Sequence, residues 1–256
     1  MTPDGTKINY KAMASDPQFQ EYINATAELQ TVDLTSLDRE EALCFWINIY
    51  NALVVHATAA VGPPRTSLQR LSWYSNVSYE ISSLIFSLND MEHGILRGNA
   101  PSPASIFNLL GLKQFAAPQF SSPSDPRLPF VLHPIDPRCH FALNCGATSC
   151  PPIRVYTPGK LEYGLQAAAT MFVSQEVKVV GASTIEMSSI LKWYGSDFGT
   201  KKELLEFIVD TLRGSSGGNE EVQKKREQLE AMVASVPVES IRFVYTPYDW
   251  SVNDVE

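Results

Sequence analysis

A chain of 256 residues, 44% of them apolar, can bury a large core, which excludes disorder over most of its length. The net charge of -8 comes without a basic cluster, which excludes a general nucleic-acid or anionic-membrane surface and leaves peptides, proteins or small molecules as the expected partners. The longest apolar run, LCFWINIYNALVVHATAAVG, is broken by asparagine and histidine, and MTPDGTKINYKAMASD has no apolar signal core, so a soluble, cytoplasmic chain is expected.

In chain order, the pattern predicts a helix over 16–30 and a stronger one over 36–60, with Thr35 or Ser36 as its cap and acidic residues in its first turns. Leu43, Trp46, Ile47, Tyr50, Leu53, Val54 and Ala57 wrap most of its cylinder, which predicts a central helix. Pro63 and Pro64 must end it, and VSYEIS alternates as a short strand. Residues 98–128 read as loop around one short helix near 103–112. LPFVLH and CHFALN read as the strands of an antiparallel hairpin about the turn from Pro134 to Pro137.

A helix at 159–174 precedes VKVVGASTIEMS, a hairpin about Gly181 and Ala182. SSILKWYGSDFG reads as a short helix, and KKELLEFIVDTLRG as a helix closed by glycine. A charged helical excursion covers 214–236, and SIRFVYTPYDW is a final strand. The order implies an α+β fold over a single domain, 1–256, with the central helix packed on a small, mostly antiparallel sheet.

Polar groups stand where that core should be. Cys44, Asn48, Asn51 and Val55 form one stripe of the long helix, so both amides need partners, either loop backbone or a ligand. Asp90, Glu92, His93 and Arg97 share one amphipathic turn, in which a carboxylate can orient His93 for acid or base work or can pair with Arg97 to fix the segment.

DPRCHFALNCGATSCPP, residues 136–152, holds three of the four cysteines. Strand alternation would send Cys139, Phe141 and Leu143 to one face and His140, Ala142 and Asn144 to the other, ahead of a turn at Gly146. The cysteine spacings match neither a zinc site nor a CxxC redox pair, and without a secretory signal reduced thiols are the default; no cofactor or metal is called for. Cys139 reads as packing. Cys145 and Cys150 stay open as nucleophiles beside His140, as a redox pair, or as buried apolar groups.

FWINIYNALVVHA, DMEHGILR, DPRCHFALNCGATSCPPIRVY, KWYGSDFG and the closing YDW, in that order, resemble the domain of unknown function 547 family. The resemblance runs from about residue 8 to 254, and its matching positions are Trp46, Asn48, Tyr50, Asn51, Glu92, His93, Arg97, His140, Cys145, Ser149 and Pro151. It implies a site without assigning an activity. Cys44 stands where the family pattern has a small residue such as alanine.

A core helix followed by a histidine-bearing strand is also similar to transglutaminase-like and papain-like cysteine enzymes, by analogy only. The leading expectation is a cysteine- and histidine-dependent hydrolase or acyltransferase: His140 as base, Cys145 or Cys150 as nucleophile, Asn48 and Asn51 orienting groups or stabilising an oxyanion, and Glu92 and His93 as further candidates. The alternative is a noncatalytic peptide- or protein-binding module in which the same groups are structural.

Overall fold

In the computed structural model, which describes residues 1–103, 117–214 and 220–255, the long helix α3 (Arg39–Val61) starts one turn later than Thr35 and Ser36 would place it. Leu34–Ser36 forms its own 3-10 turn, in which Asp33 accepts from the Thr35 N–H, and Asp38 caps α3 through a reciprocal box with Glu41. At the other end Gly62 takes φ 86° and donates to the Thr58 carbonyl, a left-handed exit that leads into Pro63 and Pro64. The short helix expected near 103–112 lies almost wholly outside the described residues.

The described chain divides into two compact units, Met1–Leu161 with Trp250–Glu256, and Glu162–Asp249. Within the first, α1 (Tyr10–Ala14) packs against α3, and α2 (Pro17–Ala25) continues into a 3-10 turn that packs on strand β1 (Ser78–Ile81). After α4 (Ser67–Asn76), β1 pairs antiparallel with β2 (Leu84–Ser87). Trp46, Ile47, Tyr50, Leu53 and Val54 are all buried, as the cylinder of apolar positions predicts, and the Trp46 ring meets Phe86 of β2 at 4.8 Å. Among the described residues α3 alone is long and apolar enough to cross a membrane, but 50% of that window is buried inside the protein. Its amides, moreover, bond loop backbone, as described below.

An aromatic cluster ties α2 and β1 to the outer side of α3. His56 packs edge-on to Phe19 and Tyr22, and its Nδ1 lies 2.7 Å from the Tyr79 hydroxyl, which in turn meets the Tyr22 hydroxyl at 2.8 Å. Burial lowers the His56 pKa below its ordinary 6.5, because the imidazolium loses hydration here. With the folded value depressed, this contribution to stability is present above the ordinary value and lost as pH falls through the folded one. The melting temperature should therefore drop on acidification from about pH 7.5 to 5.5, a window set by the ordinary imidazole range. His56→Gln should flatten that slope; an unchanged slope would refute the assignment.

In the second unit, α5 (Leu161–Glu176) precedes the expected hairpin, β3 (Lys178–Gly181) and β4 (Thr184–Ser188), with Ile185 and Met187 directed inward. The last strand, β5 (Arg242–Thr246), runs parallel to β4, giving the order β3-β4-β5. Between them come α6 (Ser189–Trp193), α7 (Lys201–Arg213) and α8 (Glu220–Ser235). Gly214 ends α7 at φ -68°, so the glycine does not supply the left-handed cap expected of it. On α8 the thin stripe is real: Leu229 and Met232 are buried, and the Lys225 ammonium reaches the Ser174 carbonyl of α5. The fold class is α+β.

Candidate functional site

Asparagine side chains pin loops to this frame by one recurring device. An amide carries a donor and an acceptor side by side, so it can bond the backbone as the edge of a strand does. Asn48 donates to the Tyr156 carbonyl at 2.7 Å and accepts from the Tyr156 N–H at 2.9 Å. Asn51 donates to the Ala142 carbonyl at 2.9 Å and accepts from the Asn144 N–H at 2.8 Å. Asn99 clasps both backbone groups of Phe120 at 3.1 and 2.7 Å. Asn48 and Asn51, one helical turn apart on α3, thus hold the chain on either side of the stretch that carries Cys145 and Cys150.

That segment is not a strand. Asp136 accepts from the Arg138 N–H and Pro137 follows it, a helix start that overrides the alternation and makes Pro137–Phe141 a 3-10 helix. Leu128–Phe130 is likewise a 3-10 turn, so the hairpin expected from LPFVLH and CHFALN does not form. Every residue from Cys139 to Asn144 is consequently buried, rather than alternate ones, and His140 and Asn144 do not share an exposed face.

Beyond Asn144 the chain turns at Gly146, whose φ is 85°, and the Cys150 N–H closes onto the Ala147 carbonyl at 3.0 Å. Asn144 spans the base of the turn, donating to the Pro151 carbonyl at 2.7 Å and accepting from the Gly146 N–H at 2.8 Å. Both chain ends brace it from outside: the Thr148 N–H donates to Ser251, the Asn253 N–H donates to Gly146, and Ile153 donates to Gly5. Tyr10 donates to Asn253 Oδ1 at 2.7 Å, and Tyr74 to the Cys145 carbonyl at 2.9 Å.

The turn presents two half-buried thiols. Cys145 Sγ and Cys150 Sγ are 2.7 Å apart, and the Cys145 N–H points at Cys150 Sγ from 3.0 Å. Burial, then the two nearby thiols, hold the Tyr74 and Tyr10 hydroxyls well above the ordinary phenol range, so both stay protonated donors. Cys44 and Cys139 differ: both are buried, and burial pushes both thiols up.

The Glu92 cluster occupies a π-helix, Asp90–Leu96, directly against α3. Tyr50 donates to Glu92 Oε2 at 2.9 Å, and Arg97 Nη1 lies 3.0 Å from His93 Nδ1. A guanidinium can only donate, so His93 Nδ1 accepts and its proton is on Nε2. The 3.7 Å approach of Glu92 Oε1 to that same nitrogen is therefore not an ion pair. Asp90 turns away to Ser87 and Arg127, at 2.7 and 3.0 Å, and takes no part in orienting His93. The negative charge of Glu92 contributes, with the two thiols, to keeping Tyr74 protonated, which puts the carboxylate within electrostatic reach of the hydroxyl that holds the turn.

Sequence reasoning singled out His140, Cys145, Cys150, Asn48, Asn51, Glu92 and His93; the structure adds Tyr10, Tyr74 and Asn253. No local pattern marks these three, since each reaches the turn from a distant part of the chain. Fold and site together define an α+β protein whose buried helix, through asparagine clasps, holds a two-thiol turn. The chain belongs to the family described as "Protein of unknown function, DUF547", which matches residues 34–173 and so takes in α3, the π-helix and the turn. No curated protein and no solved structure matches it.

Proposed function

We propose that the protein is a thiol-dependent acyl-transfer enzyme, a hydrolase or acyltransferase, with Cys150 as nucleophile and His140 as general base. The observation that carries this reading is the Cys145 N–H aimed at Cys150 Sγ from 3.0 Å, with the Cys145 thiol 2.7 Å away. A backbone donor favours a thiolate at Cys150, the form that attacks carbonyl carbon. Attack gives a thioester and expels the leaving group, which takes the proton that His140 accepted from the thiol. Water or an acceptor amine or alcohol then releases the acyl group.

The order of a buried helix followed by a histidine-bearing segment supports the reading by analogy with papain-like and transglutaminase-like enzymes. The thiols here follow the histidine instead of sitting on the helix, and Cys44, the helix's own cysteine, is buried and disfavoured as a thiolate. Asn48 and Asn51 serve as positioning residues, because their amides already bond the main chain at both ends. Those same backbone-bonded amides favour the second reading, a noncatalytic peptide- or protein-binding module held together by its polar groups.

An activated ester such as p-nitrophenyl acetate separates the two. The acyl-transfer reading expects a burst of about one nitrophenolate per chain, lost in Cys150→Ala and slowed about 10²-fold in His140→Ala, the usual contribution of a general base. An equal rate in wild type and Cys150→Ala, with both folded by circular dichroism, would leave the binding module as the better account.

A further inference from the structure

We infer that Cys145 and Cys150 form a reversible disulfide-exchange site that takes low-molecular-weight disulfides as oxidant. It rests on the placement of the two thiols and on the assignment of Cys150 as the more reactive one. The 2.7 Å between the sulfurs is far inside the range of an ordinary nonbonded approach, though longer than the 2.03–2.05 Å of a covalent bond, so little backbone movement separates dithiol from disulfide. Both thiols are half-buried and so open to a small reagent.

The other two cysteines are not. Cys44 and Cys139 are buried in the core, and burial disfavours the thiolate at each, so exchange is confined to the turn. The turn itself is built to hold the pair in register. Asn144 closes its base through Pro151 and Gly146, and the C-terminal segment fixes its outer edge, Ser251 bonding Thr148 and Asn253 bonding Gly146.

The chemistry proceeds in two exchanges. The Cys150 thiolate attacks one sulfur of the reagent, forming a mixed disulfide and expelling the first reagent thiolate. Cys145, losing its proton to that thiolate, then attacks Cys150 Sγ, forming the intramolecular bond and expelling the second reagent thiolate, which takes the proton that Cys150 gave up. One reagent disulfide is reduced to two thiols as the pair loses two electrons and two protons. The product has no free thiol at 150, so oxidation switches off the nucleophile.

Native full-length protein treated with hydroxyethyl disulfide should lose two thiols, with peptide mapping locating a 145–150 bond and leaving Cys44 and Cys139 reduced. Iodoacetamide labelling of Cys150 should fall at least tenfold and return with dithiothreitol. In Cys145→Ala the reagent should remain as a mixed disulfide on Cys150. The inference is overturned if oxidised wild type carries adducts on both cysteines without a linkage, or if Cys44 and Cys139 react as fast. These readouts need no substrate, so they separate from the ester assay. A 145–150 disulfide in a protein whose Cys150→Ala variant keeps its esterase rate would sink the acyl-transfer reading alone.

Discussion

Asn51→Ala is expected to lower the free energy of unfolding by about 2–6 kcal/mol, since it strands two buried backbone groups at about 1–3 kcal/mol each. The Ala142 carbonyl and the Asn144 N–H, bonded at 2.9 and 2.8 Å, lie in a segment closed to water, and truncation leaves no side chain to replace the amide. Asn51→Asp keeps the acceptor for Asn144 but sets a carboxylate against a carbonyl, so it should also destabilise. Asn48→Ala acts on a half-buried pair at Tyr156, where water can substitute, and should cost less than its neighbour. Urea denaturation of the three variants checks the order, and a loss below about 1 kcal/mol for Asn51→Ala would show that the clasp is dispensable.

The same substitution should loosen the thiols. Asn51 fixes the backbone of Asn144, and Asn144 in turn spans the base of the turn through Pro151 and Gly146. Variants at Asn51 should therefore label differently at Cys150 in native protein, with the first effect on stability and the second on geometry.

The helical frame was legible because its signals are local and strong. The wrapped apolar cylinder of α3 gave a buried helix, and alternation about Gly181 and Ala182 gave β3 and β4. The cap of α3 was misplaced because Thr35 and Ser36 are good caps in isolation, whereas Asp38 with Glu41 makes the reciprocal box. CHFALN misled for a similar reason: its alternation is genuine, but Asp136 and Pro137 start a 3-10 helix first. Sequence also drew attention to Asn48, Asn51, Cys145 and Cys150 through residue type alone. It could not reveal Tyr10, Tyr74 or Asn253, which become neighbours of the turn only when α4 and both chain ends fold onto it.

Arg97→Met should also cost about 2–5 kcal/mol, and it should change which nitrogen of His93 carries a proton. Arg97 is buried, and its Nη1 serves both His93 Nδ1 at 3.0 Å and the Pro101 carbonyl at 3.1 Å, so methionine fills the space while leaving the buried imidazole nitrogen and a half-buried carbonyl without this donor. In the wild type His93 Nδ1 is an acceptor for as long as the guanidinium faces it. Once that donor is gone, Glu92 Oε1 stands 3.7 Å from the nitrogen, its carboxylate held from the other side by Tyr50, and a proton on Nδ1 gains a partner. Histidine ¹⁵N shifts should therefore report a bare Nδ1 in the wild type and a protonated one in Arg97→Met as pH is lowered. Arg97→Lys retains a cation but not the planar fork, and should fall between the two. A His93 that is protonated at Nδ1 in the native wild type would overturn this account of the cluster, because a guanidinium cannot share that nitrogen with a proton.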